Sequence, residues 1–155
     1  MAIKLKNYII GMLMGLLGTF MSQITQAQDL KSHQWENRII LMVSHSEESK
    51  EYQAQIAQFS KLPRELKERK MLIYQVLPEQ YRIMNYQINA KENKWVSSPV
   101  LFTKFANKKE DFKVILIGLD GGVKLEASRL VTASELFETI DSMPMRRAEL
   151  NERRN

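Results

Sequence analysis

The segment Phe112-Lys-Val-Ile-Leu-Ile-Gly-Leu-Asp-Gly-Gly-Val-Lys-Leu125 constrains the fold more than any other part of the chain. Residues 114–117 are apolar on both sides of a β pleat, as a strand must be when both faces of its sheet are covered. Asp120-Gly121 follows, and this dipeptide adopts at low cost the positive φ angles of a two-residue hairpin turn. Val123-Lys-Leu-Glu126 then alternates in the manner of a half-exposed edge strand. Next, a helix opens with the capping box Thr132-Ala-Ser-Glu135 and is expected to stop at Pro144. A ββα terminus of this kind specifies a fold and no reaction.

The opposite end of the chain reads as an export signal. Lys4 and Lys6 make a basic start, residues 8–20 are apolar, and Thr25-Gln-Ala27 places small residues where signal peptidase inspects the chain. A helix of that apolar run rises only about 20 Å, short of a hydrocarbon core of roughly 30 Å, which favours cleavage over a retained anchor. No cysteine follows the run, so a lipoprotein anchor is excluded. The expected organisation is a signal peptide over 1–27, one domain over 28–148 and a polar C-terminal tail over 149–155, with the processed protein in the periplasm or outside the cell. A domain of this size buries about two thirds of its unfolded surface.

The formal charge drops from +5 to +3 when Lys4 and Lys6 leave with the signal. That is too little to imply nucleic acid, and no basic patch alternates with aromatic residues. The chain contains no cysteine at all. Thiolate nucleophiles, disulfide exchange and cysteine-ligated metals are therefore ruled out.

Between these ends, Arg38-Ile-Ile-Leu-Met-Val-Ser44 is a continuous apolar run of strand length. Ser44-His-Ser-Glu-Glu-Ser49 changes character, with serines suited to capping and two glutamates suited to the positive end of a helix dipole. Tyr52, Ile56 and Phe59 mark one face of the helix that follows, which should end near Leu62-Pro63. Residues 61–70 form a charged connector with a short helical pattern, and residues 71–77 a second strand closed by Pro78. Strand, helix and strand at this spacing make a βαβ unit with parallel strands. Residues 82–88 and 94–97 flank a polar stretch that suits a hairpin. Ser98-Pro99 resembles a helix start, with Leu101, Phe102 and Phe105 on the apolar side. The final helix carries Leu136, Phe137, Ile140 and Met143 on one face. The order β-α-β-(insert)-α-β-β-α, with two parallel strands, a C-terminal antiparallel hairpin and helices on both faces, is the α/β order of a thioredoxin-like fold.

Residues 112–125, together with Leu136-Phe-Glu-Thr-Ile-Asp-Ser-Met-Pro-Met-Arg-Arg147, resemble the C-terminal signature of a bacterial exported domain family of unknown function called DUDES. Related domains occur in animal extracellular proteins of the sushi-repeat and coiled-coil-containing groups. Trp35-Glu-Asn-Arg-Ile-Ile-Leu41 is similar to the family's opening strand, and the likeness spans most of residues 30–148. The resemblance implies a thioredoxin-like fold and an exported domain, with no established activity. Laid on a thioredoxin, Ser46-Glu47-Glu48-Ser49-Lys50 stands where the redox motif Cys-x-x-Cys-Lys would be. Serine lacks the accessible thiolate, so the redox reaction is lost. Where thioredoxins place a cis-proline before the third strand, this chain has Lys109-Glu-Asp111, which removes the usual clamp for a substrate peptide.

Ser46 and Ser49, with His45, Glu47 and Glu48 nearby, raise a serine-nucleophile reading. An activated serine needs its base within about 3 Å, adjacent side chains at a strand end diverge, and no Gly-x-Ser-x-Gly elbow is present. Capping is the expected role. His33 and His45 are the only histidines and show no metal-ligand spacing, so neither a metal nor any other cofactor is expected. Leu119-Asp-Gly-Gly122 lacks the Gly-Lys-Ser/Thr of a phosphate loop.

The expectation is an exported, redox-inactive binding or scaffold module of the cell envelope with a protein partner. Its candidate interaction surface comprises Ser44, His45, Ser46, Glu47, Glu48 and Ser49 with Met143, Pro144, Met145, Arg146 and Arg147. Two alternatives stand beside it. One is a cysteine-independent enzyme, a hydrolase or antioxidant-like activity, using the loop at 44–49. The other is a binder of acidic lipid through Arg146, Arg147, Arg153 and Arg154.

Overall fold

The computed structural model describes residues 30–86 and 94–152. The expected signal segment 1–27, residues 87–93 with the whole polar stretch of the expected hairpin, and Arg153 and Arg154 lie outside the described residues. Six strands form one mixed sheet: β1 (Arg38–Ser44), β2 (Met71–Leu77), β3 (Gln80–Asn85), β4 (Val96–Ser97), β5 (Phe112–Ile117) and β6 (Val123–Ala127), in the spatial order β4-β3-β2-β1-β5-β6. β1 and β2 are parallel, with Ile40 opposite Ile73, and every other neighbouring pair is antiparallel. The helices described over their whole length are α1 (Lys50–Phe59), α2 (Pro63–Glu68), α3 (Val100–Phe105), α4 (Ala133–Asp141) and α5 (Pro144–Glu152), and residues 30–32 are helical as well.

The continuous apolar runs become the central strands because they are the segments that can be covered on both sides. All residues of β1, β2 and β5 are buried. One face of the sheet presents Ile40, Met42, Ile73, Val114 and Leu116 to Tyr52 and Phe59 of α1, Leu66 of α2 and Leu136 and Ile140 of α4. The other presents Ile39, Leu41, Tyr74, Val76 and Ile115 to Leu101 of α3, with Leu30, Phe102 and Phe105 packed alongside. Gln55 ties α1 to the segment before α4. Its amide nitrogen donates to the carbonyl of Val131, and its oxygen accepts from the Val131 N–H, both at 2.9 Å.

The capping box opens α4 as expected, with the Thr132 hydroxyl accepting the Glu135 N–H at 3.2 Å. Three local expectations need correction. The β5–β6 connection is not a two-residue turn. Residues 118–122 separate the strands, the Gly121 N–H donates to the Gly118 carbonyl at 3.0 Å, and Gly121 has φ +78° while Asp120 does not have a positive φ. A right-handed turn closed by one left-handed glycine shifts the register by a residue, and the β5–β6 ladder is irregular at Leu116/Ile117. The insert after β2 starts earlier than expected. Pro78 and Glu79 form the whole turn, and β3 begins at Gln80 before pairing with β4. Finally, the helix expected to stop at Pro144 already ends at Asp141, capped by Ser142, and Pro144 begins another. A proline in the first turn gives up an N–H that has no intrahelical partner anyway, so α5 runs on through residues set aside as tail.

Candidate functional site

Two regions of the expected surface can now be compared. Residues 44–49 follow the C-terminal end of β1 and lead into α1. Met143 and Pro144 lie beside Arg38, at the other end of β1. A strand of this length spans about 20 Å, so the two segments do not form one surface.

At the first end, each serine already has a structural partner. The Ser49 hydroxyl accepts the Tyr52 N–H at 3.3 Å as the N-cap of α1, and it also donates to Glu51 at 3.2 Å. The Ser46 hydroxyl accepts the Glu48 N–H at 3.1 Å, and the buried Ser44 donates to the Ser46 carbonyl at 2.7 Å. His45 turns away from both. Its ring meets Phe102 edge-on, with centroids 4.9 Å apart, and its Nε2 lies 3.5 Å from the Asn107 carbonyl. The His45 N–H donates to the Asp111 carbonyl at 3.1 Å, which binds this loop to the segment before β5. His45, Ser46, Glu47 and Glu48 are exposed.

Behind this ridge lies a polar cluster that sequence reasoning missed. The Tyr52 hydroxyl donates to Gln75 at 2.7 Å, and Arg82 donates to the same oxygen at 2.9 Å. Arg82 also lies 3.7 Å from Glu47 and 4.4 Å from the Trp95 ring centre. Burial pushes the Tyr52 phenol up to about 12, which keeps it a hydrogen-bond donor at neutral pH. Gln75 was the one polar residue in an apolar strand, and that interruption was the available signal.

At the second end, Arg146 departs from its expected role. It is fully buried and cannot serve as an exposed cation. Its guanidinium donates to Asp141 at 3.1 Å, to Glu68 at 2.7 Å and to Glu149 at 3.2 Å. Glu149 also accepts from Arg38 at 3.4 Å, and Arg69 donates to Asp141 at 2.6 Å. Three arginines thus alternate with three carboxylates beneath α5. Burial by itself would push the Asp141 carboxyl up, but hydrogen bonds from Arg69 and Arg146 together outweigh it and hold the group below the usual range. Glu149 behaves alike, with burial opposed by the charge of Arg38 and the hydrogen bond from Arg146. The pattern was legible only as scattered charges, because its members come from β1, α2, α4 and α5. Of the remaining residues here, Pro144, Met145 and Arg147 are exposed and Met143 is half-buried.

Beside this network opens a cleft of about 450 Å³ between the turn at 118–122 and the junction of α4 with α5. Among the described residues no group of three side chains is arranged to hold a metal ion, and no helix is long and apolar enough to cross a membrane. His33, the other candidate ligand, pairs with the Tyr74 hydroxyl at 2.8 Å.

A domain family described as a domain of unknown function (DUF4174) matches residues 29–149. The chain belongs to the DUF4174 family. The matched span holds the entire described sheet and the buried ionic network as far as Glu149. No curated protein and no solved structure matches this DUF4174 chain.

Proposed function

We propose that this DUF4174 domain is an exported, redox-inactive thioredoxin-fold module that binds a protein of the cell envelope through His45, Ser46, Glu47 and Glu48. One observation carries the reading. The loop after the first central strand is exposed and hydrogen-bonded to its own serines, whose hydroxyls cap backbone amides in place of facing a base. Rigid loops at the C-terminal ends of parallel strands are where open α/β sheets bind. The order β2-β1-β5-β6, with α1 and α4 on one face and α3 on the other, supports the thioredoxin-like part. The basic and then apolar composition of residues 1–27 supports export, and the sequence likeness over 112–147 supports kinship with DUDES-type domains. Two adjacent exposed carboxylates give the ridge an acidic face, which suits a basic partner.

The test is site-specific photo-crosslinking from position 48 in intact cells. A discrete adduct that weakens in Glu47→Lys/Glu48→Lys is expected. Absence of any adduct, with every envelope complex unchanged on deletion of the gene, would sink the proposal.

A further inference from the structure

The exposed turn between β5 and β6 carries a separate inference, drawn from the chemistry of Asp120-Gly121. Aspartate followed by glycine is prone to isomerise, because without a Cβ the glycine nitrogen can approach the neighbouring carboxyl carbon. The Gly121 nitrogen would bond to Asp120 Cγ, and the carboxyl hydroxyl would leave with the amide proton as water. Water would then add to the former main-chain carbonyl of the resulting succinimide and break its bond to nitrogen. The chain would continue through Cγ as isoaspartate, with no net change in composition.

The fold holds both reacting groups off this path. The peptide unit between residues 120 and 121 is fixed at each end. Gln34 Nε2 donates to the Asp120 carbonyl at 3.0 Å, and the Gly121 N–H donates to the Gly118 carbonyl at 3.0 Å. The carboxylate is fixed at both oxygens as well. Oδ1 accepts the Gly122 N–H at 3.0 Å, and Oδ2 accepts from Lys124 Nζ at 2.6 Å. The hydrogen bond from Lys124, followed by that from Gly122, holds the carboxyl below the usual carboxylate range. Ring closure needs the protonated acid, so the ionised carboxylate is the unreactive form.

Position 118 provides a second observation. A Cβ there would lie 2.6 Å from Lys124 Cε and 2.9 Å from Asp120 Oδ1. The Lys124 stem therefore crosses space that any other residue at 118 would fill.

We propose that Asp120-Gly121 is a latent isoaspartate site, kept closed by Lys124 lying across the space left by Gly118. The site is independent of the ridge at 45–48.

Peptide mapping that separates isoaspartate from aspartate, after incubation at neutral pH, tests the proposal. The wild-type chain in urea sets the unrestrained rate. Native wild type is expected to isomerise at least about tenfold more slowly, since misplacing reacting atoms by about 1 Å can cost about a hundredfold. Lys124→Met keeps the stem and removes the ammonium, whereas Gly118→Ala keeps the lysine and displaces its stem. Each should raise the native rate by about fivefold or more while the amide NMR spectrum stays dispersed. Because the two variants change different residues, loss of fold in one leaves the other as the test. A native wild type as fast as the chain in urea, or a folded variant as slow as the wild type, would overturn the proposal.

Discussion

Glu149→Gln is the most informative single change in this domain. Glu149 lies 3.4 Å from Arg38, 3.2 Å from Arg146 and 3.6 Å from Lys70. Its partners differ in what they can recover. Arg146 keeps Asp141 and Glu68, and Lys70 is 45% exposed and can return to water. Arg38, at 1% exposure, keeps only the neutral carbonyl of Arg69. Stranding a buried charge typically costs about 3–5 kcal/mol, far above the roughly 0–1 kcal/mol of a surface pair. For a domain of this size that is a loss of roughly 10–15 °C in Tm. Equilibrium urea unfolding at pH 7 measures it, provided the slope of the transition is unchanged. Arg38→Met/Glu149→Gln should then be less destabilised than the two single changes added together, with a coupling of about 2 kcal/mol. A Glu149→Gln loss under about 1 kcal/mol with no coupling would refute the reasoning and return residues 149–152 to the role of a solvated tail.

The same network sets an acid limit. Because the Asp141 and Glu149 carboxyls are depressed in the fold, the stability they contribute is complete above the ordinary carboxylate range near 4 and is lost as pH falls through their lower folded values. Urea midpoints should hold between about pH 7 and 5 and fall below about pH 4, less steeply in Glu149→Gln; a flat profile in the wild type would contradict this. Gln55→Ala opens both hydrogen bonds to Val131 and strands two buried backbone groups, so a loss of about 2–4 kcal/mol is expected in the same assay. Ser49→Ala removes the cap of α1 and should cost about 1 kcal/mol; a larger loss accompanied by loss of the partner adduct would assign Ser49 a binding role as well. Gly121→Ala has room, with Gln34 at 3.5 Å from the added carbon, so only the φ of +78° opposes it and about 1–2 kcal/mol should be lost.

By itself the sequence determined the elements that depend on near neighbours. The apolar runs of β1, β2 and β5, the Thr132 cap and the Ser49 cap are written in consecutive residues, since burial on both strand faces and side-chain capping act over a few positions. The DUF4174 match likewise runs over one contiguous span, residues 29–149. The tertiary structure alone decided what distant residues do together. Arg146 looked like one of a run of tail cations until Glu68, Asp141 and Glu149 converged on it from three helices. The segments at 44–49 and 143–147 looked like partners until β1 was found to hold them at opposite ends. Nor does any local pattern mark Arg38 as lining a cleft, because the other walls come from residues 119–124 and 139–145. Charge pairing and enclosure depend on separations in space, and a sequence records only separations along the chain.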